Sequence, residues 1–547
     1  MVPPDAGAGL SAEPAVQRFF ARLMELRPVE ATYHGLHEHD ARLPEGSLAE
    51  AREELDLISR FEAELAGAGD GVEAELARYY AALARFQAEE QRLWARRPEA
   101  AHQIGNALFL LFARDFAPLE DRLLAIASRM EAIPAYLERS RERLTEPVTL
   151  WVSTGAQEAA ALPQLYASIV DAAQDGALKR RLERAAQAAA EATDMYVRWL
   201  ERDALARARH DWRLGEAGFD RLLSLRRLPE GPDAIRRLGE DYLAEFKEER
   251  GALLSRHWPG RTLEEVNGLV RSRHRPTFEA ALDEYREVIG AARDFVSRRG
   301  LASIPEQEEL RVEPTPAFLR PVIPFAAYEP PAHFDARQLG IYLVTPQAAG
   351  LGEHNHAAVL NTSVHEAYPG HHLQLTAANR QPSLARLLAA DFAAELVEGW
   401  AHYCEQLMHD EGFAAGPEVR FVQLTDLIWR ACRILLDVDL SSGRTGTDAA
   451  LETLVREAAM DETLAEAEVR RYTYTPGYQL SYLYGRHLLL QLREQRRRIE
   501  GGGFELRRFH DRLLYSGTLP AAFWPAAFDK PESLPRSPDR SPGEYPA

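Results

Sequence analysis

The sequence predicts a mainly α fold that carries one small β element. Between residues 11 and 299, apolar side chains recur every three or four positions among Ala, Glu, Leu and Arg, a spacing typical of amphipathic helices. The same helical spacing returns between residues 357 and 492. Between these stretches, residues 340–345 form a short run with β-branched side chains, the pattern of a strand. We therefore expect a large, irregular helical body with a small β element.

Prolines mark the boundaries of three regions along the chain. Six prolines lie between residues 314 and 331, which excludes a regular helix and indicates a connecting or lining segment. Seven more follow from position 520 onward and predict an extended tail. We expect a helical N-terminal region at 11–305, a second region at 306–519 that contains a histidine-rich motif, and a tail at 520–547, within one domain that spans nearly the whole chain.

The charge of the chain restricts its partners. The formal net charge is −19, from 84 acidic residues against 65 lysines and arginines. No basic block offsets this charge, and phosphate binding depends on clustered cations. We therefore expect no nucleic-acid partner and no binding to an anionic membrane surface, whereas small or cationic substrates remain compatible with the composition.

Cysteine content and hydropathy indicate the compartment. Cys404 and Cys432 are the only cysteines, too few for a disulfide scaffold. No run of the chain approaches the roughly 18 apolar residues that a membrane helix needs. The first residues lack the basic and apolar segments of a secretory signal. These features predict a cytoplasmic protein with two buried thiols and no transmembrane segment.

Three imidazoles and one carboxylate lie within eight positions, at His365, Glu366, His371 and His372. Zinc favours imidazole nitrogen and carboxylate oxygen, and a catalytic zinc site has three protein ligands and one open position. A glutamate directly after the first ligand is where such sites place their general base. The motif therefore predicts a zinc hydrolase in the 306–519 region, with Glu366 as the catalytic base.

The spacing of these histidines differs from the usual pair of ligands four residues apart. The fourth position after His365 is Pro369, and the next imidazoles come six and seven residues later. On a straight helix six residues turn about 600°, and seven turn about 700° but rise about 10.5 Å, so neither fits. Pro369 and Gly370 predict a kink or bulge that brings a later histidine inward. We favour His371 as the second ligand, with His372 as the alternative.

The third ligand is expected on a second helix. Glu398 lies 27 residues after His371, which leaves room for a turn and a returning helix. Glu395, Glu398, His402 and Glu405 are spaced by three and four residues and so share one face of that helix. We expect Glu398 to bind the metal, while Glu395 and Glu405 hydrogen-bond the imidazoles and orient them.

The alternative is that these side chains form a solvated helix face, since His-Glu pairs are common. The proline-glycine break, the double histidine and the glutamate-rich second helix coincide here, which favours a metal site. The remaining clusters lie in polar, loop-like surroundings and are not expected to hold a catalytic metal: His34, His37 and His39, and likewise His354 and His356.

Two further groups are candidates for supporting roles. Residues 472–486 are dense in tyrosine, and Tyr482 is the candidate donor to the oxyanion of a tetrahedral intermediate, although packing of aromatic rings explains the segment equally. Arg430, Arg433 and Asp437 are spaced as an intrahelical charge network, with the alternative that one arginine binds a substrate carboxylate.

These residues resemble the bacterial family catalogued as domain of unknown function 885. Its hallmark, His-Glu-x-x-Pro-Gly-His-His followed by Glu-Gly-Trp-Ala, is found at 365–372 and 398–401, and segments 30–44 and 476–485 are similar to other recurring parts of the family. The resemblance implies a distant tie to the zincin peptidases with a glutamate ligand, which are helical bodies around a deep channel, and so a β element next to the metal site. Many family members carry lipoprotein signals, which this chain does not show.

The sequence thus predicts a peptidase with one Zn²⁺ per chain, held by His365, His371 and Glu398. By the resemblance to the zincin peptidases, its substrates would be short peptides that enter a channel, as in an oligopeptidase or a carboxypeptidase. The strand at 340–345 would pair with an extended peptide along its edge. The oligomeric state is not predicted.

Three other functions are compatible with the same residues. The ligands would polarise a non-peptide amide or ester equally well, and a stretched motif could bind metal or peptide without catalysis. A carboxylate di-iron bundle needs two Glu-x-x-His pairs. Such pairs occur at Glu99/His102 and Glu353/His356, but the first lacks a supporting pattern.

Overall fold

The computed structural model describes residues 11–316, 320, 323, 325–346 and 350–528, and it confirms a mainly α fold with a small sheet. In this part of the chain the helices before the sheet are α1 (Glu13–Leu26), α2 (Pro28–His34), α3 (Leu48–Leu65), α4 (Val72–Phe86), α5 (Leu93–Arg96), α6 (Ala100–Ala113), α7 (Leu119–Arg143), α8 (Thr149–Ala172), α9 (Ala177–Trp199), α10 (Gly215–Leu225), α11 (Pro232–His257), α12 (Leu263–Arg271) and α13 (Phe278–Arg299).

The sheet and the remaining helices follow. The strands are β1 (Glu308–Pro314), β2 (Ala326–Glu329) and β3 (Gln338–Val344). The later helices are α14 (His356–Glu366), α15 (His371–Ala378), α16 (Leu384–Ala389), α17 (Ala394–Asp410), α18 (Pro417–Ser442), α19 (Thr447–Ala458), α20 (Glu462–Tyr474), α21 (Ser481–Glu500) and α22 (Leu506–Leu514).

Helix boundaries follow local capping signals. The side chain of Thr262 accepts from the backbone N–H of Glu265, whose carboxylate accepts from the N–H of Thr262, so α12 begins with a capping box. At the end of α13, Gly300 has φ +61°, a left-handed conformation that glycine adopts without steric cost. Between such ends, the apolar face of each helix is buried against its neighbours.

One hydrophobic core joins the two regions predicted from the sequence. It contains Phe19 and Tyr285 from the N-terminal helices together with Trp400 and Leu489 from the later helices, each at most 3% exposed. Buried apolar surface contributes roughly 25 cal/mol per Å², so side chains of this size contribute most to the association of the helices. The 11–305 and 306–519 segments are therefore packed on a common core.

The strand predicted at 340–345 is confirmed as β3, and all seven of its residues are buried. It is the central strand of the order β1-β3-β2, parallel to β1 and antiparallel to β2. The prediction that a peptide pairs along the edge of this strand is wrong, because both of its edges are already hydrogen-bonded. The sequence showed the β-branched run of β3 but gave no sign of the partner strands.

The early segment similar to the family fixes the N-terminal helices to the sheet. The ring of His37 lies between Asp40 and Asp335, with Nδ1 2.9 Å from the first carboxylate and Nε2 3.0 Å from the second. Asp335 belongs to the β2–β3 connection. A Cβ atom on Gly35 would lie 2.7 Å from Oδ1 of Asp335, so only glycine fits there. This segment therefore holds the connection in place.

Helices α17 and α21 cross at two glycines. A Cβ atom on Gly399 would lie 2.4 Å from the carbonyl carbon of Gly485, and one on Gly485 would lie 2.2 Å from the carbonyl oxygen of Glu395. The absence of side chains lets the two backbones touch. This crossing brings the tyrosine-rich segment before and at the start of α21 next to the glutamates of α17.

The predicted tail is only partly described. Residues Ala521–Phe528 form a 3-10 helix, with Phe523, Trp524 and Phe528 buried in the main core. The expectation of an extended chain is therefore wrong for these residues, because their aromatic side chains bury more apolar surface as a packed turn. Positions 529–547 lie outside the described residues.

The apolar character of the helices and the burial of the two cysteines were also considered from the sequence. Within the described ranges, none of the helices combines the length and the apolar character that crossing a bilayer requires. Cys404 and Cys432 are both buried free thiols, as predicted.

Candidate metal centre

The histidine motif lies at a break between two helices. Helix α14 ends at Glu366, the Tyr368–Pro369 peptide bond is cis, and α15 begins at His371. The break predicted at Pro369 and Gly370 is confirmed, although it separates two helices and does not form a bulge within one. A Cβ atom on Gly370 would lie 1.8 Å from the carbonyl oxygen of His365, so no other residue fits this turn.

The turn is also fixed from the neighbouring helix α17. The indole Nε1 of Trp400, which is fully buried, donates to the carbonyl oxygen of Pro369 at 2.7 Å. The backbone N–H of Gly370 donates to Val364 at 3.0 Å. The Glu-Gly-Trp-Ala hallmark thus supplies a carboxylate at Glu398, a close helix crossing at Gly399 and an anchor for the turn at Trp400.

The side chains of His365, His371 and Glu398 converge. Oε2 of Glu398 lies 3.6 Å from Nε2 of His371 and 3.9 Å from Nε2 of His365, and one ligand atom from each residue lies within 4.8 Å of the others. The three residues are 7 to 9% exposed. The sequence-predicted ligand set is therefore brought together in the fold.

Glu398 is held as a carboxylate. Its other oxygen, Oε1, accepts from the hydroxyl of Tyr478 at 2.6 Å. Burial alone would raise the pKa of Glu398, but the hydrogen bond and charge of His371, the charge of His365 and the Tyr478 hydrogen bond keep it well below its usual range. The oxygen that faces the two imidazoles therefore carries negative charge at neutral pH.

Glu405 orients His365 from the side away from Glu398. Its Oε1 lies 2.7 Å from Nδ1 of His365, and its Oε2 accepts from Nδ2 of Asn361 at 3.1 Å. Burial would raise the pKa of Glu405, but its interactions with His402 and with His365 lower it to about 2. When the His365 ring is neutral, an ionised Glu405 accepts its Nδ1 proton in a hydrogen bond, so that Nε2 carries the lone pair.

The carboxylates around His365 favour a cation. Burial lowers the pKa of His365, but the hydrogen bond to Glu405 and the charges of Glu366, Glu405 and Glu398 raise it to about 9. The ring thus takes up a proton because the carboxylates around it exceed the positive charges. The chemistry of the donor set, two imidazole nitrogens and one carboxylate oxygen, fits a zinc ion.

A second group of metal-binding side chains shares His365 and adds His402 and Glu405. Nε of Arg430 donates to Nε2 of His402 at 3.1 Å, so the proton of the neutral His402 ring is on Nδ1, which lies 3.3 Å from Oε1 of Glu405. Burial lowers the pKa of His402 well below its usual value. The guanidinium of Arg430 lies directly beside His402 and engages its lone pair. His365, His402 and Glu405 therefore form a polar chain behind the predicted ligands.

His372, the alternative second ligand, points away from the cluster. Its Nδ1 lies 2.8 Å from the hydroxyl of Tyr328 on β2, and its Nε2 lies 2.6 Å from Oε2 of Glu308 on β1. Glu308 also accepts from Tyr368 and, at 3.0 Å, from Nε of Arg293. Burial opposes ionisation of Glu308, but these partners lower its pKa to about 2. Both nitrogens of His372 are therefore used to fasten α15 to the sheet.

The β element lies next to the cluster, as expected. A Cβ atom on Gly340 of β3 would lie 2.7 Å from both Nδ1 of His372 and the hydroxyl of Tyr328. The sheet thus contacts the residue that follows His371, and a glycine in its central strand makes room for the imidazole.

Two expectations about supporting residues are wrong. Glu395 does not contact the imidazoles, because it forms a buried ion pair with Arg226 at 2.5 Å.

The charge network predicted along α18 is not intrahelical. Arg430 pairs with Asp426 on its own helix, but Nε of Arg433 donates to Tyr472 at 2.9 Å, and Asp437 accepts from the backbone of Gly477 and Leu480.

The two predicted catalytic side chains lie beside the cluster. Glu366 is half-buried at the end of α14, and within the described part of the chain its carboxylate has no hydrogen-bonding partner. The ring of Tyr482 lies 5.8 Å from that of His402, and the guanidinium of Arg433 lies 4.6 Å from its centroid. Burial and the charge of Glu398 raise the pKa of Tyr482, so its hydroxyl keeps its proton at neutral pH.

Sequence reasoning missed the residues that hold the ligands from outside. Tyr478 lies in the tyrosine-rich segment, but only the crossing of α17 and α21 shows that it, and not Tyr482, bonds Glu398. Glu308 and Tyr328 carry no motif, because their role depends on the order of the strands.

The other histidine pairs do not form metal sites in the ranges that the structure describes. The groups suited to a metal there are the two that contain His365. Glu353 pairs with Arg271, and His356 pairs with Glu284. His102 contacts Asn106. The Glu-x-x-His pairs that a di-iron bundle requires are therefore used in separate contacts.

Solved structures with a similar fold cover nearly the whole chain. A protein from Shewanella oneidensis described as a "putative lipoprotein of unknown function" matches with a TM-score of 0.75 and 21% identity over 95% of this chain and 100% of its own. A "putative lipoprotein" from Colwellia psychrerythraea matches with a TM-score of 0.81 and 18% identity over 94% of this chain and 98% of its own. At these identities the likeness shows the fold alone.

Sequence comparison gives one result at the family level. Residues 28–526 match the family described as "Bacterial protein of unknown function (DUF885)". None of the curated proteins compared with the chain matches its sequence.

Proposed function

Since the chain belongs to the DUF885 family of bacterial proteins, whose description assigns no activity, we propose from the geometry of the site that it is a zinc-dependent peptidase acting on short peptides. The observation that carries this proposal is the convergence of His365, His371 and Glu398, with Glu366 directly after the first of them in the chain. The proposal goes beyond the family and rests on these side chains.

The spacing of the three donors fits a zinc ion. With zinc–ligand bonds of roughly 2.0–2.2 Å, tetrahedral geometry requires donors about 3.3 Å apart. The separations of 3.6 and 3.9 Å from Oε2 of Glu398 exceed this by about 0.3 and 0.6 Å, and the ligand atoms of the three residues all lie within 4.8 Å of one another. Two imidazoles and one carboxylate would hold the ion and leave one position open. A bound zinc ion would polarise a substrate carbonyl and lower the pKa of water toward about 7.

The side chains of the protein would then move the proton. Glu366 has no partner among the described residues, so its carboxylate is free to accept a proton from water and deliver it to the leaving amine. Tyr482 keeps its phenolic proton and would donate a hydrogen bond to the developing oxyanion. Tyr478 and Glu405 would keep Glu398 and His365 in position.

Burial of the site favours short substrates. His365, His371 and Glu398 are each less than one tenth exposed, so a folded protein could not bring its backbone to them. A short, unfolded peptide has no such restriction. Oligopeptidase or carboxypeptidase action is therefore preferred, and casein should be cut far more slowly than a short peptide.

The experiment compares Glu366→Gln with Glu353→Gln, a glutamate paired with Arg271 and away from the ligands. We expect Glu366→Gln to keep one zinc ion per chain and to lose peptide hydrolysis by roughly 10²- to 10⁴-fold, while Glu353→Gln keeps both. Equal hydrolysis by the two variants would remove the proposal. Zinc binding with turnover of ester or non-peptide amide substrates only would favour the non-peptide hydrolase.

Localisation is proposed as cytoplasmic. Two buried free thiols and a chain without disulfides suit a reducing compartment. The structural neighbours carry the description "putative lipoprotein", which suits an anchored protein instead. Fractionation of the native cells, with detection of the protein by an antibody, tests this placement. Recovery in the membrane fraction would overturn the cytoplasmic placement.

A further inference from the structure

A second cavity lies among the N-terminal helices. It has a volume of about 330 Å³ and is lined by residues of α1 to α7 and the short 3-10 turn before α17. Ligand pockets typically start at roughly 300 Å³. Its walls combine aromatic and aliphatic side chains with carboxylates, so it differs from a dry packing defect. We call it the acidic cavity.

The acidic cavity has an excess of negative charge. Its carboxylates are those of Glu30, Glu50, Glu54, Glu99 and Asp391. Its cations are two guanidinium groups. That of Arg27 bonds both Glu30, at 2.9 Å, and Glu54, and that of Arg143 lies 3.4 Å from Glu99. Five carboxylates against two guanidinium groups leave a formal charge of −3 on the lining.

The carboxylate of Asp391 is the unmatched one. Among the described residues it has neither an ion pair nor a hydrogen bond, and its exposed side chain lines the cavity. Partial desolvation within the cavity and the charge of Glu30 raise its pKa to about 8. Glu50, by contrast, accepts two backbone N–H groups at 2.7 Å. The wall near Asp391 and Glu30 therefore lacks one positive charge.

An unpartnered hydroxyl is aimed at the same space. Tyr80 is 1% exposed and lines the cavity, and no described residue hydrogen-bonds its hydroxyl. Burial raises the pKa of this group well above its usual value, and the charged side chains that act on it are Arg27, Asp391, Glu30 and Glu54, all of the lining. Tyr80 therefore brings an unpartnered hydroxyl to the cavity that these carboxylates line.

We propose that the acidic cavity binds a small organic cation, an alkylammonium group carried on an aliphatic chain. The ammonium would donate to Asp391, Glu30 and the hydroxyl oxygen of Tyr80, which supplies the missing charge and satisfies the unpartnered groups. The apolar part of the lining, with Trp94 and Phe392, would contact the carbon chain. This site is separate from the ligands of the metal centre and does not depend on the proposed peptidase activity.

The test is calorimetric titration of the full chain with butane-1,4-diamine. The neutral analogue butane-1,4-diol and the anion glutarate are the matched ligands. We expect the diamine alone to bind. Asp391→Asn should weaken it by about tenfold or more, because a charge-assisted hydrogen bond is lost. Asp56→Asn, an exposed carboxylate on the same helix as Glu54, should leave the affinity unchanged.

Two further measurements keep the result decisive. Tyr80→Phe should weaken the diamine several-fold, which provides a second variant if Asp391→Asn does not fold. An amine could also coordinate a metal at His365, so the titration is repeated after chelator treatment, where the same affinity is expected. Absence of diamine binding, equal affinity in Asp391→Asn and Tyr80→Phe, or loss of binding after chelation would each overturn the proposal.

Discussion

Nδ1 of His365 lies 2.7 Å from Oε1 of Glu405, while Nε2 of the same ring faces Oε2 of Glu398 at 3.9 Å. The two carboxylates thus lie at opposite nitrogens of one imidazole. Glu405 fixes the proton on Nδ1 and makes Nε2 a better donor to a metal. A sequence in which Glu398 and Glu405 occupy the same helix face therefore encodes both the predicted ligand and the carboxylate that orients its neighbour His365.

Glu405→Gln should weaken zinc binding by roughly 10- to 100-fold, because a neutral amide no longer holds the Nδ1 proton as firmly. Competition with a chromophoric chelator measures this affinity. Asp410→Asn, near the exposed end of the same helix, is the control and should bind zinc as the unchanged protein does. Equal zinc affinities for the two variants would contradict the role given to Glu405.

His371→Ala and His372→Asn should fail in different ways. His371→Ala removes a proposed ligand, so we expect loss of zinc with a folded chain. His372→Asn removes one of the buried partners of Glu308, and breaking such a buried pair costs about 3–5 kcal/mol of unfolding free energy. Metal analysis and chemical denaturation measure the two effects. Loss of zinc in His372→Asn at unchanged stability would reverse the assignment of the second ligand.

Gly370→Ala should disrupt the turn between α14 and α15. The added Cβ atom would lie 1.8 Å from the carbonyl oxygen of His365, so the backbone must move and the metal ligands separate. We expect loss of zinc and a lower melting temperature. The control is Gly251→Ala in α11, where nothing lies within 4 Å of the new atom and helix propensity should raise stability by about 0.5–1 kcal/mol. A Gly370→Ala protein with full zinc occupancy would contradict the described turn.

The His37 contacts should make stability depend on pH. Burial lowers the pKa of His37, but Asp335 and Asp40 raise it to about 9, above the value of roughly 6.5 in an unfolded chain. The stabilisation is thus fully present below about pH 6.5 and is lost as the pH rises through about 9. The difference in unfolding free energy between the unchanged protein and His37→Asn should shrink over that range.

His210→Asn is the control for this pH series, because His210 is exposed and has no ion pair among the described residues. Its effect on stability should not follow the same profile. A His37→Asn difference that stays constant or grows between pH 6.5 and 9 would show that the ring is not held as a cation by Asp40 and Asp335.

The sequence predicted the cluster of His365, His371 and Glu398 better than its surroundings. These three residues could be grouped because metal chemistry restricts residue types and because Pro369 and Gly370 mark the break. The choice of His371 over His372 rested on spacing, and the structure places His371 with the cluster and His372 against the sheet. Metal binding itself stays a prediction until an ion is observed.

The errors have a common physical origin. The run of residues that forms β3 was visible in the sequence. The lack of a free edge on β3 was not visible, because the strand order β1-β3-β2 depends on long-range pairing. Glu395 shares a helix face with Glu398, yet its partner Arg226 comes from a distant helix. The periodicity of apolar residues shows which side of a helix is buried, but it does not show which residues that side contacts.

The most direct test of the account is a crystal of the protein grown with zinc and measured at the zinc absorption edge. We expect one anomalous peak about 2.0–2.2 Å from Nε2 of His365, Nε2 of His371 and a carboxylate oxygen of Glu398. A peak coordinated by His372 in place of His371, or no peak among these three side chains at full zinc concentration, would contradict it.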